Sequence, residues 1–225
     1  MSTARRPRRW LAAFLLLAVA LLGGAVWLVY FSPLLVVRSV AVSGHQQLRS
    51  EQIVAAAQVP MGSPLARQDL EAIARRATTL PAVQAASVSR TWPDTITVTV
   101  TERRPLIAVR QPGGFALVDP DGVAFAESGS LPEGVLLAEV NPADRPLLQQ
   151  VGLVAAALSD GLDGQVSALA ATHADRISLK LESGVKVNWG SAADSALKAD
   201  IVAALLQSRR AGSIDVSSPH NPATR

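Results

Sequence analysis

The chain has 225 residues, 49% of them hydrophobic, with 21 basic and 18 acidic side chains and no cysteine. The missing thiols exclude disulfides, thiolate catalysis and cysteine-based zinc sites. Four of the 21 bases (Arg5, Arg6, Arg8 and Arg9) sit at the extreme N-terminus with no acid among them, which leaves 17 bases against 18 acids and no basic nucleic-acid footprint on the bulk of the chain.

Trp10–Phe31 is an uncharged run of 22 residues. As a helix it is ~33 Å long, enough to cross a hydrocarbon core of ~30 Å. A cleaved signal peptide competes with this reading, with Ala18-Val19-Ala20 as the cut site. Cleavage there leaves Leu21 to Phe31 as an exposed apolar end, and the run exceeds the ~7–15 residues of a signal core, so an uncleaved anchor is expected. The four arginines before Trp10 place residues 1–9 in the cytoplasm by the positive-inside rule. Trp10 at one end, and Trp27 and Tyr30 at the other, suit the two interfacial belts. The bulk of the chain then lies outside the membrane.

Residues 37–44 read as a strand with Val40 and Val42 on one face and a turn at Gly44. Ser50 is the expected N-cap of a helix through Gln58, with Ile53, Val54 and Ala57 on one stripe. Residues 60–64 form a loop. Asp69 caps a second helix whose Leu70, Ile73, Ala74 and Ala77 recur at helical spacing. Ala86, Val88, Arg90 and Trp92 share one face of the next strand, and Pro93-Asp94 turns the chain. Residues 95–101 alternate with a period of two, which predicts buried Ile96, Val98 and Val100. The unit spells β-α-α-β-β, a sheet covered on one face by two helices.

Beyond Arg104 the pattern becomes mostly β with two helices, an α+β class overall. Strands are expected at 106–109, 115–118, 123–125 and 136–140, with Asp119-Pro120-Asp121-Gly122 as a hairpin turn. A helix at 146–158 places Leu147, Val151, Val154 and Leu158 on one stripe and ends near Gly161. Residues 176–181 and 185–189 form a hairpin. Ser191 and Asp194 read as a capping box opening a helix to about Arg210, stopped by Gly212. Residues 214–216 are a last short strand, and 217–225, with Pro219 and Pro222, a poorly ordered tail.

No convincing catalytic constellation emerges. His45, His173 and His220 lack metal-ligand spacing. Asp119 to Gly122 opens like a calcium loop, but Glu127 comes too early for its twelfth position. Ser195-x-x-Lys198 matches the motif of penicillin-recognising enzymes, yet no K-T-G accompanies it and Ser195 is expected inside a helix.

The order of features resembles the FtsQ/DivIB family of bacterial division proteins. Val37-x-x-Val40-x-Val42-x-Gly44 is similar to its opening strand. Leu80-Pro81-x-Val83-x-x-Ala86-x-Val88-x-Arg90-x-Trp92-Pro93, with Val98-x-Val100-x-Glu102-Arg103-x-Pro105, resembles its POTRA hairpin and exit. Leu117-Val118-Asp119-x-Asp121-Gly122-Val123 resembles the first hairpin of its second domain. Gly190, Lys198 and Ile214-Asp215-Val216-x-x-Pro219 resemble its closing helix and strand.

The resemblance implies a POTRA domain over 34–104, an FtsQ-type β domain over 105–216, and a single-pass protein of the cytoplasmic membrane and division septum. It implies a non-enzymatic divisome scaffold without cofactor, metal or nucleic-acid ligand. The implied partners are the FtsB/FtsL (DivIC/FtsL) pair, and through them FtsW and FtsI in septal peptidoglycan synthesis. The POTRA unit is linked to septal recruitment. Two other functions stay open: a POTRA-type chaperone of membrane-protein assembly, and an anchored cell-wall enzyme using Ser195 and Lys198. Ile214, Asp215 and Val216 are the candidate partner-binding residues, since a terminal short strand often lies at a sheet edge with unpaired backbone groups. The competing possibility is an interior strand of the fold.

Overall fold

A run without charges offers no polar face, and it folds as one long helix, α1 (Arg6–Phe31), whose large apolar side chains are mostly exposed. In the computed structural model, which describes residues 6–158, 162, 164–208 and 212–224, the chain divides into two compact units between Glu102 and Arg103. Arg5 lies outside the described residues.

The first unit contains β1 (Ser39–Ser43), α2 (Ser50–Ala57), a 3-10 turn (Leu65–Arg67), α3 (Leu70–Ala77), β2 (Val83–Thr91) and β3 (Thr95–Glu102). The sheet order is β1-β3-β2, with β1 parallel and β2 antiparallel to the central β3. The strict alternation in β3 sends Ile96, Val98 and Val100 into a core shared with Ile53 and Ala57 of α2 and Ile73 and Ala77 of α3. Each such Val or Ile contributes about 1.5–3 kcal/mol of burial. The threonines face away and pair by hydroxyl: Thr95 with Ser39 at 2.6 Å, Thr99 with Ser43 at 2.9 Å, Thr97 with Thr91 at 2.8 Å. Asp69 caps α3 as expected, accepting from the Ala72 N–H at 3.0 Å. Ser50 does not cap α2. The helix already includes it, its hydroxyl bonds His45 Nε2 at 3.0 Å, and the preceding Arg49 N–H donates to Gln52 Oε1.

The second unit contains β4 (Ile107–Gln111), β5 (Gly114–Val118), β6 (Ala124–Ser128), β7 (Leu136–Glu139), α4 (Arg145–Leu158), β8 (Val166–Ala171), β9 (Ile177–Leu181), β10 (Lys186–Gly190), α5 (Ser195–Ser208), β11 (Ser213–Asp215) and β12 (Ala223–Thr224). They build one nine-stranded sheet in the order β12-β11-β10-β9-β8-β7-β4-β5-β6. The buried stripe of α4 packs with Leu169, Ile177, Trp189 and Val202 into a single core. The turn at 119–122 is a hairpin and no cation loop: Asp119 Oδ1 accepts from the N–H groups of Asp121 and Val123, and its Oδ2 pairs with Arg103. Gly122 there has φ +74° and abuts the backbone of α4 so closely that a Cβ would lie 2.5 Å from Gln149 N.

Three expectations for this unit need correction. β8 was not anticipated. The helix α5 opens at Ser195, because Asp194 adopts φ +55° and breaks the run expected from Ser191. The tail is ordered in part: Ala223 and Thr224 turn back and pair antiparallel with β11. The helix endings expected near Gly161 and Arg210 lie outside the described residues.

Candidate functional site

Strand β11 is tied to its inner neighbour through its even-numbered residues. Lys186 N donates to Gly212 O, and Val216 N donates to Asn188 O at 2.9 Å. The parallel register sets Val187 opposite Ile214 and Asn188 opposite Asp215. By the alternation of a ladder, Ser213 and Asp215 therefore direct their backbone N–H and C=O away from β10. There they meet β12, which pairs Ala223 with Asp215 and Thr224 with Ile214. The same alternation points the N–H of Thr224 outward, past the last strand of the sheet.

The sequence-predicted trio Ile214, Asp215 and Val216 thus occupies two different situations. Ile214 and Val216 are 1% and 0% exposed and belong to the core. Asp215 sits on the open face, where Oδ2 accepts from Asn188 Nδ2 at 2.8 Å and Oδ1 from the N–H and hydroxyl of Ser217. The trio is not itself the sheet edge, because β12 covers its outer side. Beside it, Ser178, Lys186, Asn188, Asp215 and Ala223 line an open groove of about 420 Å³ on the sheet face. Sequence reasoning missed β12 and Asn188. A two-residue strand carries no periodicity, whereas the polar Asn188 between buried Val187 and Trp189 is legible as an outward position.

The turn between β10 and α5 braces this edge. Gly190 (φ +76°) lets the chain leave β10 against Ser217; a Cβ there would lie 2.9 Å from Ser217 Cβ. Lys198 is 1% exposed, and its ammonium donates to the carbonyls of Ser191 at 2.8 Å and Trp189 at 3.1 Å. Burial lowers its pKa from the ordinary lysine value, partly offset by the charge of Asp194. Ser195 Oγ accepts from the Trp189 indole N–H at 3.1 Å and donates to Ala192 O at 2.8 Å. The S-x-x-K pair is therefore committed to holding a turn. Among the described residues, no group of three or more His, Asp or Glu is arranged for a metal ion.

The membrane-directed residues lie on α1. Trp10 and Tyr30 are 20 positions apart, ~30 Å along a helix and so one hydrocarbon thickness, with Trp27 one turn before Tyr30. Arg6, Arg8 and Arg9 fall in its first turns.

Residues 35–103 match the family described as "POTRA domain, FtsQ-type", and residues 107–217 match "Cell division protein FtsQ/DivIB, C-terminal". The chain is 38% identical over 198 residues to the cell division protein FtsQ of Streptomyces griseus, covering 83% of this chain and 95% of that one. It is likewise 38% identical over 231 residues to the FtsQ of Streptomyces bingchenggensis, covering 97% and 87%. With the FtsQ of Mycolicibacterium smegmatis it shares 35% over 218 residues, covering 96% and 64%.

Proposed function

The chain belongs to the FtsQ/DivIB family of cell division proteins, and from that premise we propose that it is a non-enzymatic divisome scaffold. It is anchored by α1 with its N-terminus in the cytoplasm and acts at the division septum. It links early and late division proteins by docking an FtsB-like and FtsL-like pair outside the membrane, and through them bears on septal peptidoglycan synthesis by FtsW and FtsI. The observation that supports this reading is the end of the nine-stranded sheet. Its last strand is two residues long, directs an N–H outward, and borders a groove with charged and amide side chains. Such an edge accepts a partner strand through main-chain hydrogen bonds, with neighbouring side chains setting specificity.

The site corrects which substitution tests the idea. Val216→Pro removes an N–H bonded to β10 and reports on the fold. Thr224→Pro removes the outward N–H. The full-length protein carrying it should bind the FtsB-like partner about tenfold more weakly, the equivalent of one lost hydrogen bond, at an unchanged melting temperature. Wild-type affinity in titrations of Thr224→Pro would overturn docking at this edge.

A further inference from the structure

We propose that the end of the first unit nearest α1 is a bilayer-docking surface. Arg67 binds the phosphate of an anionic phospholipid there, and Trp92 and Leu34 sit in the interfacial layer. The proposal rests on the reading of α1 as a membrane span.

Three segments converge where the chain leaves α1. The 3-10 turn packs against α1, and the Arg67 guanidinium lies 5.4 Å from the centroid of the Phe31 ring, the last residue of the helix. The linker after α1 is bonded to the same segment: Leu65 N donates to Leu35 O at 2.9 Å, and Val37 N to Ser63 O at 3.0 Å. The tip of the β2–β3 hairpin completes the surface, because Asp94 O accepts from Arg38 N at 2.8 Å.

Arg90 ties β2 to the 3-10 segment. From β2 it donates to the carbonyls of Leu65 at 2.9 Å, Gln68 at 2.7 Å and Ala66 at 3.2 Å. Trp92 follows it in the turn just past β2, two residues before Asp94, whose carbonyl holds Arg38 N.

The composition of this surface is unusual for one facing water alone. Trp92 is 49% and Leu34 65% exposed. Arg67 and Arg38 are also exposed, and neither has an ion-pair partner among the described residues. An exposed indole and exposed guanidinium groups on segments that converge at the end of a span, with Leu34 and Arg38 three and seven residues past Phe31, match the headgroup layer. Amphipathic rings settle there, and bases gain from anionic lipid. The occupant follows from continuity, since Arg67 already rests on Phe31, at the point where the span meets that layer.

The test uses the full chain in nanodiscs of phosphatidylcholine with or without phosphatidylglycerol. There are four tryptophans, and Trp10→Phe with Trp27→Phe leaves Trp92 and the core residue Trp189. Lipids brominated near the headgroup should quench this variant, and the quenching should vanish on adding Trp92→Phe. It should be stronger with phosphatidylglycerol, weakened by Arg67→Glu and restored by Arg67→Lys. A variant keeping Trp27 in place of Trp92 reports on the span itself. If Trp27 is quenched and Trp92 is reached by aqueous iodide but not by the brominated lipid, the docking surface is overturned while the span stands. Quenching of Trp92 that ignores both phosphatidylglycerol and Arg67→Glu overturns the assignment of a lipid phosphate to Arg67.

Discussion

Glu102 closes the first unit with one side chain. Its carboxylate accepts backbone N–H groups from Gln46, Gln47 and Leu48, each at 2.9 Å, and so fixes the loop between β1 and α2 to the end of β3. Partial burial raises its pKa, but the N–H donors of Gln47, Leu48 and Gln46 and the charge of His45 outweigh this and hold it below the usual carboxylate range. A lowered folded-state pKa stabilises above the unfolded value of about 4.3, and that contribution is lost as pH falls from there through the folded value. Glu102→Gln keeps an acceptor but loses the charge. It should cost the unit about 1 kcal/mol at neutral pH, and the gap from wild type should close in acid. Denaturant titrations at neutral and acid pH check this, and a gap independent of pH would show that charge is not what the loop responds to. The Glu102-Arg103 pair was legible as part of a resemblance, but the three N–H groups were not, because they come from a loop more than fifty residues earlier.

Among the elements, legibility tracked periodicity. Residues 95–101 alternate strictly between threonine and an apolar residue, and β3 buries the apolar set. Val98→Asp places a carboxylate at a 0% exposed position of the central strand, and an unpaired buried charge commonly costs several kcal/mol. The first unit should unfold. Thr99→Asp, exposed next door, should lose less than about 1 kcal/mol, and circular dichroism melts of the two variants separate the cases. Strand β8 has no comparable signature. Val166-Ser167-Ala168-Leu169-Ala170-Ala171 mixes one polar residue with three alanines, whose β propensity is low, and its place between β7 and β9 decides its state. The start of α5 misled for a different reason. Ser191 and Asp194 have capping spacing, but the Ser191 carbonyl is taken by the buried Lys198, and the helix waits until Ser195. A lysine seven residues past a presumed cap gives no local hint that it will be buried.

The whole molecule is one helix followed by two units, and that order was readable from composition alone: a charge-free run, a β-α-α-β-β pattern, then short strands and two helices. The proposed orientation across the membrane rests on the arginines before Trp10. Protease added to spheroplasts should digest residues beyond about 35, judged by the same rule. Immunoblots that show this region intact would reverse the topology. The candidate docking edge was half legible. Residues 214–216 were recognisable as a strand near the end of the sheet, but the two-residue β12 that forms the actual rim is set by long-range pairing rather than by any pattern between Pro222 and Thr224.

The order of strands in the second unit also has a consequence in time. From β7 onward, each new strand lies beside one already made: β7 on β4, then β8, β9, β10, β11 and β12 in turn. A chain made from its N-terminus can therefore extend this side of the sheet in a single direction, without reserving a gap for a later segment. The rim formed by β11 and β12 is the last part to come into existence. Until they pair, β10 carries the open edge of the growing sheet with its unpaired N–H and C=O groups, and closing that edge falls to residues 213–224.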